Sequence, residues 1–272
     1  MIDPIETLPP FINIQGAKIC LDDSCSDARE HGLKAVWAFR EGLPVPIGIF
    51  GPESRFPLPD AEPKKMFFRA GVFENGISNM MTDYPFLQTI ELIPSGDPGN
   101  TDTISPLFRY FPDSVLKFPV NEGFENQDIQ LEFFRNEIDR DSTRLERISI
   151  PGFAYIGNTC AQILLNANRQ KLELSSIEEF DLPPQGANVW LEIAYKGSIP
   201  LQAGLLANRN GSVSILNQNT IIPKDDWTIL YLNFTPLASA NAGSKFKLWL
   251  GIDAKGESGN VYIDRLRLLH FK

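Results

Sequence analysis

The stretch that decides the fold is residues 227–271, WTILYLNFTPLASANAGSKFKLWLGIDAKGESGNVYIDRLRLLHF. Three segments in it, WTILYLNF, KFKLWLGID and NVYIDRLRL, sort their side chains into two faces at a period of two residues. Residues that favour turns, among them proline and glycine, lie between these segments. Period-two patterns bounded by turn formers are typical of β-strands. The stretch therefore predicts three successive strands.

Strand patterns of the same kind continue towards the N-terminus. Nine segments between Asp141 and Phe271 have strand character, a density typical of a two-sheet sandwich. The first half adds further short strands, broken by turns such as Asn75-Gly76, and the pattern pauses around residues 113–128. We therefore predict an all-β protein of two domains, residues 1–120 and 121–272, the second of them a sandwich.

Composition excludes several classes of protein. A hydrophobic fraction of 43% is enough for a packed core, and no apolar run reaches the length of about 18 residues that a membrane helix needs. The net charge of -9, with scattered Lys and Arg, argues against a nucleic-acid partner. Only two histidines occur, and no HExxH, GxSxG, GxGxxG or GxxxxGK[ST] motif is present. These facts favour a non-catalytic protein.

Cys20 and Cys25 enclose four residues, a spacing that suits a hairpin. Two readings stay open: a disulfide, which would stabilise the fold by about 2 kcal/mol and imply an oxidising compartment, or two thiols beside a turn. Cys160 precedes an apolar strand and is expected to be a buried free thiol. The acidic residues Asp22, Asp23 and Asp27, in and beside the Cys20–Cys25 loop, are expected to form a solvated turn.

Two tryptophans share strand faces with charged residues. In NVWLEIAYK, Trp190 lies on the same face as Glu192, and in KFKLWLGID, Trp249 lies on the same face as Lys247. A flat aromatic ring beside a few polar groups is the chemistry that binds sugars. One hypothesis makes these four residues a glycan site; the other has the tryptophans cover a sheet between domains or pack under a loop. Trp37 and Trp227 share faces with apolar residues and are expected in the core.

The second half resembles jelly-roll domains of the galactose-binding-like and carbohydrate-binding-module type. The residues that carry the resemblance are GFEN (Gly123–Asn126), VWLEIAYK (Val189–Lys196), WTILYLNF and NVYIDRLRL. The resemblance implies a structural calcium where the first and last strands meet, with Glu125 and Asp264 at the matching positions. The alternative is that one of these carboxylates pairs with an arginine such as Arg265. Two carboxylates alone do not make a calcium site.

The first half resembles the immunoglobulin-like front domain of exported Bacteroidetes lipoproteins. The segments that carry this resemblance are residues 35–58, AVWAFREGLPVPIGIFGPESRFPL, and 72–86, VFENGISNMMTDYPF. It implies a location outside the cytoplasm, in the periplasm or at the cell surface, with an outer-membrane lipid anchor attached to a cysteine that would precede this sequence. The resemblance implies a domain architecture and a cellular compartment, but it implies no catalytic reaction.

The resulting hypothesis is a non-catalytic cell-envelope component that binds a glycan or a partner protein. Its contact with a membrane would be only through a lipid anchor at the N-terminus. The alternative is a jelly-roll enzyme that cleaves glycosides or esters. That alternative requires a groove with two carboxyl groups about 5–10 Å apart.

Overall fold

The computed structural model describes residues 8–22, 24–59, 62–135, 142–183 and 186–272. Across these residues the secondary structure is strand, with one helix of six residues. The prediction of an all-β protein is confirmed. No helix among the described residues is both long and apolar enough to cross a membrane.

The chain forms two compact units. Unit 1 comprises Met1–Phe73 and Ser78–Pro112, and unit 2 comprises Glu74–Ile77 and Asp113–Lys272. The predicted boundary at Val120 is therefore too late in the chain. Val120 lies in a strand, Leu116–Glu122, that pairs antiparallel with the C-terminal strand of the chain. This pairing is long-range, so the local sequence around Val120 gave no sign of it.

Unit 1 distributes short strands over three small sheets. Their orders are β10-β1-β6, β11-β2-β3 and β5-β4-β7-β8, with β9 also paired to β7. An immunoglobulin-like domain consists of two packed sheets, whereas the strands of this unit form three small ones. The immunoglobulin-like fold therefore stays a prediction for this unit. The strands are β1 (Phe11–Ile14), β2 (Lys18–Cys20), β3 (Ala28–Arg29), β4 (Ala35–Arg40), β5 (Gly48–Phe50), β6 (Ser54–Pro57), β7 (Met66–Phe73), β8 (Met81–Asp83), β9 (Ile90–Leu92), β10 (Thr101–Ile104) and β11 (Leu107–Phe108).

The central strand β4 shows which side of its sheet is core. Val36 and Ala38 are fully buried and stand opposite Ala70 and Phe68 of β7, whereas Trp37 is half-buried on the other face. The prediction that Trp37 is a core residue is wrong. Both faces of LKAVWAFRE carry apolar residues, so alternation alone could not tell which of them the core would take.

Unit 2 is a two-sheet sandwich of the jelly-roll class. A six-stranded sheet has the order β14-β15-β22-β17-β20 with β12 also paired to β22, and a five-stranded sheet has the order β13-β16-β21-β18-β19. The elements are β12 (Leu116–Glu122), β13 (Leu131–Arg135), β14 (Leu145–Ile148), β15 (Cys160–Leu165), β16 (Lys171–Ser176), β17 (Val189–Gly197), β18 (Leu201–Arg209), β19 (Ser212–Ile221), β20 (Lys224–Asn233), α1 (Thr235–Ala240), β21 (Lys245–Asp253) and β22 (Gly259–Phe271).

The facing sides of the two sheets make one hydrophobic core. It contains Leu191 and Ile193 of β17 and Leu248 and Leu250 of β21, the inward positions that alternation predicts. The β18–β19 hairpin turns at Asn210-Gly211, where φ is 54° and 84°. Asparagine and glycine tolerate this left-handed backbone, and the predicted turn is confirmed.

Candidate functional site

Trp190 and Glu192 lie on the outer face of the six-stranded sheet, opposite the core side of β17. The predicted shared face is correct. However, Trp190 is 2% exposed and Glu192 is fully buried, so neither offers an open surface to a ligand. Glu192 Oε2 lies 3.8 Å from Arg265 Nε and 3.6 Å from an Arg267 amino nitrogen. The structure thus places Glu192 in a buried charge cluster.

Trp249 and Lys247 lie on the outer face of the other sheet, so the structure does not bring the four predicted glycan residues together. Trp249 is 4% exposed, and its ring covers Gly251, where an added Cβ would lie 2.5 Å from Cζ2. Lys247 Nζ forms an ion pair with Glu132 Oε1 at 2.7 Å. Strand alternation predicted the correct face for both tryptophans. It did not predict which sheet each tryptophan belongs to, or which groups cover each ring.

Glu125 and Asp264 anchor one loop, residues 153–159. Glu125 Oε1 accepts hydrogen bonds from the backbone N–H of Asn158 (2.8 Å) and Thr159 (2.9 Å). Asp264 Oδ2 accepts one from the N–H of Ile156 at 3.0 Å. Burial alone would raise the pKa of Glu125, but these N–H groups outweigh it and hold that pKa below its usual range.

These contacts do not fit the calcium site that the resemblance implies. Backbone N–H groups, which carry positive partial charge, point at Glu125 Oε1 and at both carboxylate oxygens of Asp264 and so compete with a cation for these oxygens. Calcium takes 6–8 oxygen ligands, and among the described residues no cluster of three or more His, Cys, Asp or Glu could hold a metal ion.

Calcium binding stays a prediction with a direct check. If these two carboxylates hold the loop without a metal, chelation with EDTA should leave the melting temperature of the protein unchanged. A fall in the melting temperature that added calcium reverses would contradict this reading and support the metal site.

Burial raises the pKa of Asp264 to about 6, against the opposing effect of the backbone N–H groups of Ile156, Arg265 and Tyr155. The neighbouring thiol of Cys160 is 1% exposed, and its pKa is raised to about 12 by burial first and then by the carboxylates of Asp264 and Glu125. A thiol with this pKa is unreactive at neutral pH.

In unit 1, Cys20 and Cys25 are joined in a disulfide with Cα atoms 4.8 Å apart. The turn between them is organised by Asp22, whose carboxylate accepts hydrogen bonds from the hydroxyls of Ser24 and Ser26. These bonds lower the pKa of Asp22 to about 2. Asp23 lies outside the described residues.

The disulfide gives a prediction. Thiol counting under denaturing, non-reducing conditions should find one free thiol, from Cys160. Cys20→Ala should lower the free energy of unfolding by about 2 kcal/mol, because it opens a small closed loop. Three reactive thiols in the parent protein would contradict the bridge.

A pocket of about 300 Å³ opens in unit 2 between β12 and the end of β16. Three short segments line it, and we call it the edge pocket: Phe118–Val120, Asp128–Gln130 and Ser176–Glu178. Its walls combine an aromatic ring, aliphatic side chains, two carboxylates, an amide and a hydroxyl. This mixture of apolar walls with a few polar groups is the usual make-up of a small-molecule site.

Hydrogen bonds hold the walls of the edge pocket in place. The amide oxygen of Gln130 accepts the N–H of Asn121 at 3.0 Å, and the Gln130 carbonyl accepts the N–H of Ile177 at 3.0 Å. Ser176 Oγ accepts the N–H of Leu248 at 3.1 Å. The walls of the pocket are therefore tied to both sheets.

Charge and aromatic groups meet at one wall of the edge pocket. The guanidinium carbon of Arg267 lies 4.5 Å from the centroid of the Phe118 ring, and this cation–π contact helps to hold the ring in place. Asp128 and Glu178 are both exposed at the rim. They are available as hydrogen-bond acceptors.

None of these residues emerged from the sequence as a candidate. Phe118 and Asp128 lie in the segment 113–128, which interrupts the strand pattern and which the sequence predicts to link the two domains. Glu178 follows the end of β16. The one available signal was an aromatic residue and several polar residues concentrated in a segment without period-two alternation.

A second, shallower depression is less suited to a ligand. It is lined by Gln170, Lys171, Asp253, Lys255 and their neighbours Ala167 and Gly256, without an aromatic ring. Lys171 and Asp253 form an ion pair at 3.4 Å, so two of its charges already satisfy each other.

No family model matches the chain, and no curated protein matches it in sequence. Among solved structures it is similar to a family 11 carbohydrate-binding module from Clostridium thermocellum, at 10% identity and a TM-score of 0.39, over 57% of this chain and 95% of that one. It is also similar to a mutant of a family 29 carbohydrate-binding module (13% identity, TM-score 0.37, 57% and 85% covered).

A third similar structure is an exo-beta-agarase, at 12% identity and a TM-score of 0.39 over 57% of this chain. The match spans only 25% of the agarase chain. Likenesses with identities and TM-scores this low carry no argument about the ligand or activity of the present chain.

Proposed function

We propose that this protein is a non-catalytic component of the cell envelope that binds a glycan in the edge pocket. The observation that carries the proposal is the pocket itself, whose lining residues include Phe118, Asp128 and Glu178. The C–H face of a pyranose packs against an aromatic ring, while its hydroxyls donate hydrogen bonds to carboxylate oxygens. The Cys20–Cys25 disulfide supports an oxidising location outside the cytoplasm.

The size and rigidity of the edge pocket also support a glycan. A volume of about 300 Å³ is at the lower end of the range for ligand sites, which suits a short stretch of a sugar chain. Its walls are tied to both sheets, so binding would cost little ordering of the protein.

The exposure of the two acids argues against hydrolysis. A glycosidase needs a carboxylic acid that stays protonated near neutral pH, and enzymes achieve this by burying it. Asp128 and Glu178 are instead exposed. Asp264, whose pKa is raised, accepts backbone hydrogen bonds and does not line the pocket.

The first test of this proposal is a glycan array with the full chain, followed by titration calorimetry on the best oligosaccharide. Phe118→Ala should weaken binding about tenfold, the value of one aromatic contact. The matched control is Phe133→Ala, since Phe133 is 55% exposed in the same unit and does not line the pocket. Absence of binding by the parent, or equal losses in both variants, would overturn the proposal.

The hydrolase alternative rests on the two carboxylates that share the edge pocket, and it has its own test. Release of reducing ends should be undetectable when the parent protein is incubated with any glycan that it binds. Glu178→Gln should then weaken binding, because an amide is a poorer acceptor than a carboxylate. Turnover by the parent that Glu178→Gln abolishes would establish an enzyme instead.

A further inference from the structure

A second aromatic surface lies in unit 1, on the outer face of the sheet β5-β4-β7-β8. We call it the Trp37 face, and its members are Ile49, Trp37, Phe39, Phe67 and Arg69. Cross-strand pairing fixes their places: Trp37 stands between Ile49 on β5 and Arg69 on β7, and Phe39 stands opposite Phe67. The core of the unit uses the opposite side of these strands, so this face is turned outward.

The members of the Trp37 face are exposed enough to meet a ligand. Ile49 is 47% exposed, the Arg69 side chain is 47% exposed, and the three aromatic rings are half-buried. The face differs in this respect from Trp190 and Trp249, which are both closed off. Scattered exposed apolar residues are ordinary, but a contiguous set on one sheet face indicates a binding surface.

The indole of Trp37 lies against β7 beside Gly71, the diagonal neighbour on that strand, which has no side chain to exclude it. A Cβ added to Gly71 would lie 2.8 Å from Trp37 Nε1 and 2.9 Å from Cδ1. The indole N–H is buried and has no hydrogen-bond partner among the described residues, so it faces the strand. The part of the indole that remains exposed is hydrocarbon.

The neighbouring rings share this orientation. The plane of Phe39 is within 16° of the plane of Trp37, with centroids 6.5 Å apart, and the guanidinium of Arg69 stacks over Phe39 at 4.6 Å. Two nearly parallel rings and a planar guanidinium thus lie together on this face, which places hydrogen-bond donors beside aromatic surface.

The charges at this face favour a neutral ligand. Arg69 pairs with Asp83 at 3.2 Å, and Lys65 next to Phe67 pairs with Glu91 at 2.9 Å. These two cations are thus balanced by two acids, so the four charged groups together give no preference for an ionic partner. Both pairs are exposed and can exchange their mutual contacts for contacts with hydroxyl groups at little cost.

The chemistry of the face favours a sugar. Flat aromatic surface lies beside the hydrogen-bonding groups of Arg69 and Asp83. We propose that the Trp37 face is a second glycan site, for a neutral, β-linked polysaccharide whose sugar hydroxyls are equatorial. Such a chain presents C–H groups on its broad sides, which pack on Trp37, and hydroxyls at its edges, which reach Arg69 and Asp83.

The test uses the full chain and two insoluble probes, microcrystalline cellulose and chitin, in depletion assays. The parent should bind at least one probe, and Trp37→Ala should weaken that binding by about tenfold or more. Gly71→Ala should weaken it as well, because the new methyl group lifts the indole without removing it. The control is Ile93→Ala, since Ile93 is 63% exposed in the same unit and lies outside this face.

The site stands independently of the edge pocket. Trp37→Ala should leave the binding of soluble oligosaccharides in calorimetry unchanged, and Phe118→Ala should leave the binding of the insoluble probe unchanged. Melting curves of the variants show whether unit 1 stays folded. Failure of the parent to bind either probe, or undiminished binding by Trp37→Ala, would overturn the proposal. A dimer of the parent that Trp37→Ala dissociates would also overturn it, in favour of a protein interface.

Discussion

Glu192→Ala should lower the free energy of unfolding of unit 2 by about 3–5 kcal/mol, a large fraction of the stability of an ordinary domain. Glu192 is fully buried, and two guanidinium groups lie within 4 Å of its carboxylate. Without the carboxylate, the positive charges of Arg265 and Arg267 would remain buried with their main counter-charge removed. Urea denaturation followed by tryptophan fluorescence measures the loss.

An exposed acid in the same unit gives the matched control. Glu132 pairs with Lys247 at 2.7 Å, but its side chain is 45% exposed. Glu132→Ala should therefore cost about 1 kcal/mol or less. If both substitutions have the same effect, the burial of Glu192 is not what makes its charge important.

A third variant separates charge from packing. Replacing all three members together, as Glu192→Leu with Arg265→Met and Arg267→Met, removes the charges but keeps comparable volume. Replacement of a whole buried ion cluster by apolar side chains is often neutral or stabilising. The triple variant should therefore be more stable than Glu192→Ala alone. A triple variant that is less stable than Glu192→Ala would contradict an electrostatic origin of the loss.

Asp264→Asn should change how stability depends on pH. The pKa of Asp264 is raised from 3.8 to about 6, so the native state binds a proton more tightly than the unfolded state does. The resulting stabilisation is complete below pH 3.8 and is lost as pH rises through about 6. One pKa unit corresponds to about 1.4 kcal/mol, so the full difference is about 3 kcal/mol.

The measurement compares the parent and Asp264→Asn between pH 4 and pH 7. Asparagine does not titrate in this range, so between pH 4 and pH 7 the parent should lose about 2 kcal/mol relative to the variant, most of the full difference. Other groups, such as His270, whose pKa burial lowers, titrate in both proteins and largely cancel in the difference. EDTA in all samples removes any contribution from calcium. Parallel curves for the two proteins would contradict the raised pKa.

The candidate sites show which features can be predicted from the local pattern of the sequence and which cannot. Alternation correctly put Trp190 and Trp249 on faces opposite the core. The same rule failed for Trp37, because both faces of β4 are apolar and only the packing partner decides between them. It also did not identify Phe118 and Glu178, since the edge pocket is made by two neighbouring segments and a third one much further along the chain.

The sequence by itself determined the all-β class, the faces of the long strands in unit 2 and the Asn210-Gly211 hairpin. These features depend on side-chain period and backbone preference, which act over a few residues. Only the tertiary structure decided that Val120 belongs to the second unit, that Glu192 is buried with two arginines and that Trp37 faces outward. Each of these depends on pairing or packing between distant segments, and the free energy of such contacts is not encoded in any one local stretch of the chain.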